Sequence, residues 1–419
     1  MINITFSKDC CGCEACSQIC PKHCISMTRD TEGFLYPKVD TTICIECGMC
    51  EKVCPIINQF DEKKPSAVYA AKNNDELERL SSSSGGIFIL VAKQIISEGG
   101  VAFGVKFDEN WNVVHSYCET VEELSKFQGS KYVQSRIGDS YKTVEKFLKN
   151  DRKVLFTGTS CQVAGLKHYL RKEYDNLFTI DVVCHGVPSP KVWGNYLNDI
   201  KCAKRSIGKN TVSLSLNETS VKITDVLFRD KTNGWKKYGF KITYVACKAT
   251  ENSVSKSPIN QQSISLIEPF CDNIYMKGFL MNLYLRPSCC YCQAKAGKAH
   301  SDITIADYWG IQNYYPQFDD DKGVGLILIN STKGDEMYNS LHLNSIQTTY
   351  EEGICANPVI EHSVSVPKYR SLFWKLYPKI GLDAVEVIID KMKPSLFRRG
   401  LSLAKRCLKK LISQSLKSI

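Results

Sequence analysis

Two runs of cysteine carry the strongest chemical signal in the chain. Cys10, Cys13, Cys16 and Cys20 stand at 2-2-3 spacing and are closed by Pro21; Cys44, Cys47, Cys50 and Cys54 repeat that spacing and are closed by Pro55. A loop offering a thiolate at every third residue wraps three corners of a 4Fe-4S cubane, and the fourth cysteine opens a helix aimed at the other cluster. That exchange assigns Cys10, Cys13, Cys16 and Cys54 to one cluster and Cys44, Cys47, Cys50 and Cys20 to the second. Gly12 and Gly48 lie between ligands, where the backbone has to come close to inorganic sulfide. A pair of zinc knuckles is the competing use of these cysteines, but zinc sites rarely take four cysteines at this spacing followed by proline. Cys11 and Cys24 fall outside the pattern and read as bystanders. Two such clusters relay single electrons and do no substrate chemistry alone, so the rest of the chain must say where the electrons go.

Two further places have residue types suited to chemistry. Ser81-Ser82-Ser83-Ser84-Gly85-Gly86 leads into an apolar helix. Hydroxyls and glycines at a helix N-terminus, where amides are free and the dipole is positive, suit the phosphate of a cofactor. The other use of such a run is a serine N-cap with a flexible lead-in. Downstream, Cys161 and Cys184 follow strand-like stretches, and Cys289-x2-Cys292 offers two ligands from one turn. Together they could form a third four-cysteine site; spacing alone leaves open two core cysteines and a zinc-like pair.

The elements that must hold these residues alternate. Asp61–Ser66, polar and containing Pro65, reads as a linker. Beyond it come a strand at Ala67–Ala71 and a helix over Ile87–Ser97 that stops at Gly99-Gly100. Strands at Gly100–Phe107 and Asn112–Cys118, a helix near Ser140–Lys149, a strand at Lys153–Phe156 and a helix through Leu170 follow. Leu177–Val183 then runs into Cys184-His185-Gly186. Strand, glycine-containing loop and helix, twice over, is the rhythm of an α/β domain with ligands at its strand ends. From Lys201 to Gln262 the pattern turns to β, at Thr211–Leu216, Val221–Phe228 and Tyr238–Cys247, with Asn233-Gly234 as a turn. Gly381–Lys391 reads as a helix.

Composition narrows the class. The 21 cysteines are an odd, clustered set, and Met1–Cys10 lacks a signal-peptide pattern. Metal-ligating thiols in a reducing cytoplasm are therefore expected, not a disulfide framework. Ile87–Ile96, the longest apolar run, is interrupted by Lys93 and too short to span a bilayer. The formal charge is +10, and each four-thiolate cluster lowers it by about two. The excess is also local, because nine Lys or Arg face one acid between Asp390 and Ile419. The body is close to neutral or acidic, so no nucleic-acid footprint is indicated. In 394–419 Phe397, Leu401, Ala404, Leu408, Leu411 and Leu416 recur at roughly helical spacing among basic residues. Such a helix has three uses: peripheral contact with the inner face of a membrane, docking on a partner, or packing on its own domain.

Taken in order, these pieces resemble the family of coenzyme F420 (deazaflavin) hydrogenase/dehydrogenase beta subunits. The likeness rests on Ser84-Gly85-Gly86, Gly129-Ser130-Lys131-Tyr132-Val133, Gly158-Thr159-Ser160-Cys161-Gln162 and Cys184-His185-Gly186. It extends to Arg286–Gly310, with Cys-x2-Cys and Ser-Asp-Ile-x-x-x-Asp-x-Trp-Gly, and more weakly to Gly325–Gly334. Ser160 stands where the family usually has proline. The resemblance implies an α+β / α/β fold: a dicluster ferredoxin-like domain over 1–60, then a mixed α/β flavin and iron–sulfur domain over 61–200 and 201–375, then a basic helical tail over 376–419. It implies FAD, with phosphates near Ser84, Gly85 and Gly86 and further contacts at Ser130, Lys131 and Tyr132. It also implies a third 4Fe-4S cluster on Cys161, Cys184, Cys289 and Cys292. A flavin converts single-electron into two-electron transfer. His185 and Lys131 are the proton-donor candidates, the plainer roles being loop orientation and phosphate binding. Asp302 and Asp307 read as structural or cofactor-shell residues, since an acid on a short loop can fix backbone amides. The function implied is an iron–sulfur flavoprotein oxidoreductase acting on a hydride acceptor, a deazaflavin coenzyme or a glycan-biosynthesis intermediate, since relatives occur beside polysaccharide genes. Its competitors are an electron-transfer subunit that feeds a redox partner, and a ferredoxin attached to a binding module.

Overall fold

The computed structural model describes residues 1–202, 219–248 and 263–393. The expected strand at Thr211–Leu216 and the basic helix over 394–419 lie outside them. The N-terminal segment is built from helix α1 (Ala15–Ile19), an antiparallel hairpin of β1 (Ile25–Arg29) and β2 (Leu35–Val39), and helix α2 (Met49–Lys52). The Asp30 carboxylate accepts from the amides of Glu32 (3.0 Å) and Phe34 (2.8 Å) and so shapes the turn between the strands. Its core is largely cysteine: Cys16, Cys20, Cys24, Cys50 and Cys54 pack with Ile2 and Ile25.

The body opens with β3 (Ala67–Asn73), then α3 (Glu76–Ser81) and α4 (Ile87–Ser97). Next come β4 (Val101–Phe107), β5 (Val113–Cys118), α5 (Ser140–Lys149), β6 (Val154–Thr159), α6 (Ser160–Leu170), β7 (Leu177–Val182) and α7 (Pro190–Lys201). After these lie β8 (Thr219–Asp230), β9 (Gly239–Lys248), β10 (Ser263–Pro269) and α8 (Ile274–Leu280). The last strands are β11 (Ile303–Asp307), β12 (Gly325–Ile329) and β13 (Leu343–Thr348). Eight of these form one sheet in the order β13-β3-β12-β11-β7-β6-β4-β5. Its centre is parallel (β4, β6, β7, β11), and its flanks are antiparallel. Val154–Phe156 and Leu177–Ile180 are buried apolar runs because helices or chain cover both faces of the central strands. Strands from both sides of residue 200 enter this one sheet. The β8–β10 ribbon stands apart from it, and its Phe228 and Phe240 pack on Trp193, Tyr196 and Tyr275.

The two regions are stitched by residues distant in sequence. Arg370 donates from Nη1 to Glu32 (2.7 Å), Lys191 donates to the carbonyl of Thr31 (2.9 Å), and the Ser189 hydroxyl donates to the carbonyl of Glu32. Among the described residues no helix is long and apolar enough to cross a membrane.

Candidate functional site

Cys20, Cys44, Cys47 and Cys50 line one cavity together with Ile25 and Val39. Cys24 joins the same wall, its sulfur 3.3 Å from that of Cys20. Cys47 is exposed, so this cavity is the outer one. The thiols of Cys10, Cys13, Cys16 and Cys54 sit within electrostatic reach of one another, and Cys50 reaches both Cys16 and Cys54. The two sets therefore adjoin. Burial, reinforced by neighbouring thiols, holds Cys16 well above the usual thiol range and raises Cys54. Such a set can ligate as thiolates only around positive charge, which an iron–sulfur core supplies. Among the described residues no three Cys, His, Asp or Glu converge tightly enough for a single metal ion. The donor set and the cavity fit a cluster.

The third set depends on strand register. The parallel pair β6 and β7 places Thr159 opposite Val182. Cys161 and Cys184 each lie two residues further on, so both emerge from the same end of adjacent strands. The Cys184 loop is then zipped to the loop of the Cys-x2-Cys pair. Pro188 bridges Leu285, Arg286 N donates to the carbonyl of Val187 (3.0 Å), and Val187 N donates to Cys289 Sγ (3.4 Å). Cys292 is held by its amide, which donates to Ser363 Oγ (2.9 Å). The thiols of Cys161, Cys184, Cys289 and Cys292 thus lie within electrostatic reach of one another. Burial pushes Cys184 up to about 12 against the pull of the Lys295 ammonium.

Cys11, outside the ligand spacing, lies within electrostatic reach of Cys10, Cys13 and Cys161, between the ferredoxin segment and the third set. The approach requires Gly165, one turn beyond Cys161. A Cβ there would lie 2.9 Å from Cys13 Cβ and 2.9 Å from the Tyr141 hydroxyl.

The serine-glycine run and the Gly129–Val133 motif also meet. The amide of Ser130 donates to Ser83 Oγ (2.6 Å), and the two hydroxyls are 2.7 Å apart. Ser84 Oγ donates to the carbonyl of Val324 (2.7 Å). Gly85 is required by strand packing, since a Cβ would lie 2.4 Å from the carbonyl of Ala71 and 2.5 Å from Gly325 N. Gly86 is the N-cap of α4 and offers no capping side chain. Lys231, reaching in from β8's end, donates to the carbonyls of Arg79 (2.8 Å), Ser84 (3.1 Å) and Lys322 (2.9 Å). Burial and the nearby Arg229 and Arg79 push its pKa down to about 7. Lys131 donates to the carbonyls of Gln128 (3.1 Å) and Gly129 (3.2 Å), and burial lowers its pKa to about 8. The hydroxyls and the uncapped first turn of α4 fit a phosphate, whereas the Lys131 ammonium is turned onto its own loop.

Tyr132 stacks on Phe279 (4.9 Å), which also meets His185 edge-on (5.5 Å). His185 is oriented by Asn282, 2.6 Å from its Nε2, and burial lowers its pKa. Asp302 accepts from Thr179 N and Oγ1 (both 2.8 Å), and Asp307 pairs with Arg229 (2.7 Å), so both carboxylates brace the fold. Sequence reasoning did not single out Ser83, Lys231, Asn282 or Gly165, whose partners lie far along the chain. Cys11 was visible only as a neighbour of a ligand.

Together, these elements define a mixed α/β protein with a cysteine-rich N-terminal segment. Residues 151–352 match the family described as the C terminus of the beta subunit of coenzyme F420 hydrogenase/dehydrogenase. Residues 151–352 thus carry that family's domain, and the chain has a ferredoxin-like segment besides. It is 26% identical over 165 residues to a subunit of the F(420)H(2) dehydrogenase of Methanosarcina mazei, covering 36% of this chain and 46% of that one. The chain thus matches less than half the length of that relative. It is 34% identical over 64 residues to the ferredoxin 7Fe of Hydrogenibacillus schlegelii, 15% of this chain and 76% of that protein. A solved structure of the F420-reducing [NiFe] hydrogenase complex from Methanosarcina barkeri overlaps 79% of this chain and 94% of its own, with TM-score 0.42 and 16% identity.

Proposed function

We propose that the chain is a flavin-dependent iron–sulfur oxidoreductase that exchanges electrons between a redox partner and a hydride acceptor. Cys10, Cys13, Cys16 and Cys54, then Cys20, Cys44, Cys47 and Cys50, would hold two 4Fe-4S clusters, and Cys161, Cys184, Cys289 and Cys292 a third. FAD, where bound beside Ser83–Gly86 and Ser130–Tyr132, supplies the conversion between one-electron and two-electron transfer. The observation that supports the reading is the close packing of Cys13 on α6 at Gly165, one turn beyond Cys161, which sets the ferredoxin segment beside the third set. Exposed Cys47 favours the outer cavity as the edge facing a redox partner. Lys131, with its pKa near 8, holds a proton at Nζ that it can give up near neutral pH, while His185 is tied to Asn282. Both are proposed as proton donors, Lys131 ahead of His185. A deazaflavin coenzyme leads as the hydride acceptor because the matched relative is named for one, and a glycan-biosynthesis intermediate is second.

The test is iron and flavin content per chain after anaerobic purification and cluster reconstitution. About twelve irons, as three four-iron clusters require, together with one flavin support the proposal. About eight irons and no flavin reduce the chain to a ferredoxin on a scaffold. The second reading, an electron-transfer subunit without its own substrate site, is supported by the relative's designation as a subunit. Turnover of a deazaflavin by the isolated chain would remove it.

A further inference from the structure

A guanidinium is fully buried where the ferredoxin segment meets the body. Arg286 is 0% exposed. Its Nε donates to the carbonyl of Cys10 (2.7 Å), Nη2 to the carbonyl of Leu35 (2.9 Å) and to Cys10 Sγ (3.4 Å), and Nη1 to Gln134 Oε1 (3.0 Å). The plane of the group lies over Tyr36 (4.3 Å) and Phe34 (5.4 Å). Gly12 makes room for it, since a Cβ there would stand 2.7 Å from Nη1. Among the described residues no carboxylate forms an ion pair with it. Among the groups that feel its charge are Cys10, Tyr36, Cys11, Cys289 and Cys161.

A buried cation without a counter-anion is strongly unfavourable, so a position like this one needs negative charge nearby. Among the described residues, the acceptors around the guanidinium are two carbonyls, one side-chain amide and the sulfur of Cys10. A four-thiolate cluster bears net negative charge, and more after reduction. We propose that Arg286 is the charge partner of the cluster held by Cys10, raising its reduction potential by favouring the reduced, more negative state. This rests on the reading that Cys10, Cys13, Cys16 and Cys54 ligate a 4Fe-4S cluster. Arg286 is a positioning residue: it touches a ligand, and its backbone accepts the amide of Cys289 (2.9 Å), so one residue braces both the first and the third set. Hydrogen bonds to cluster sulfurs and local charge are established levers on such potentials.

The experiment is an EPR-monitored redox titration of the full-length chain, reconstituted anaerobically, as wild type and as Arg286→Gln, Arg286→Lys and Gln134→Glu. At any fixed potential Arg286→Gln is expected to lower the reduced-to-oxidised ratio of one ferredoxin cluster by about tenfold, or about 59 mV for a one-electron couple. Arg286→Lys keeps the charge and should recover most of that ratio. Gln134→Glu leaves the arginine in place but sets a carboxylate against Nη1, so it should lower the ratio in the same direction by a smaller factor. It answers the question even where Arg286→Gln loads iron poorly. Wild-type potentials in both Arg286→Gln and Gln134→Glu, or in Gln134→Glu alone if the glutamine variant does not load, overturn the proposal. Absence of the cluster signal from the wild type would instead remove the ligand assignment beneath it.

Discussion

The N-terminal segment and the body hold themselves together by different means. The segment's buried centre is made of cysteine with two isoleucines, Ile2 and Ile25, and its helices span only Ala15–Ile19 and Met49–Lys52. The body surrounds an eight-stranded sheet with aliphatic and aromatic cores, such as Trp193, Tyr196, Phe228 and Tyr275 in one cluster. A segment of about sixty residues buries too little apolar surface to be more than marginal on its own, so metal ligation must supply much of its folding free energy. The body needs no such help. One chain therefore contains a region folded by its cofactors and a region folded by its side chains.

The strongest way to break this comparison is to remove the iron. Anaerobic chelation should leave residues 1–60 open to protease while the sheet-bearing body survives, as limited proteolysis with mass spectrometry would report. Equal resistance of the two would refute the contrast. A smaller loss is expected from Cys289→Ser, which should cost about four of about twelve irons and leave the ferredoxin EPR signals in place. Loss of all iron would mean that the third set is not an independent site. Gly165→Ala sharpens the seam: the added methyl pushes α6 from Cys13 and should cost about 1–3 kcal/mol, as overpacking does. Hydrogen exchange at α1 and α6 would locate it, and an unchanged Tm would contradict the contact. The mildest effect belongs to the body alone. His115, buried in β5 and stacked on Phe156 (5.5 Å), has its pKa lowered by burial to about 4. The unfolded chain takes up that proton first as pH falls from about 6.5. Body stability should therefore decline between about pH 6.5 and 4, by at most about 1.4 kcal/mol per pH unit. His115→Phe should flatten that slope in denaturant titrations.

Much of this division was legible in the residues. The ferredoxin ligand runs announce themselves by spacing, and the helix at Ile87–Ser97 is bounded by Gly86 and Gly99 as read. The alternation of β6, α6 and β7 was equally plain, because apolar runs and glycine loops are local signals. What could not be read was register and return. Whether Cys161 meets Cys184 depends on Thr159 pairing with Val182, and β12 inserts between β3 and β11 from far along the chain. Ser83, not Ser84, joins the Ser130 loop, a choice made by side-chain direction that a run of four serines conceals.

The seam between the regions also has a consequence in time. The ferredoxin segment leaves the ribosome first, but every residue that clasps it comes later: Gln134 and Gly165, then Ser189 and Lys191, then Arg286 and finally Arg370. Until Arg370 has been synthesised, the segment has its ligands but not its full set of clasps, and clusters inserted early would sit in an undocked module. Docking is therefore complete only once the helix Arg370–Ile380 has been made, and that helix acts as the latch on the segment.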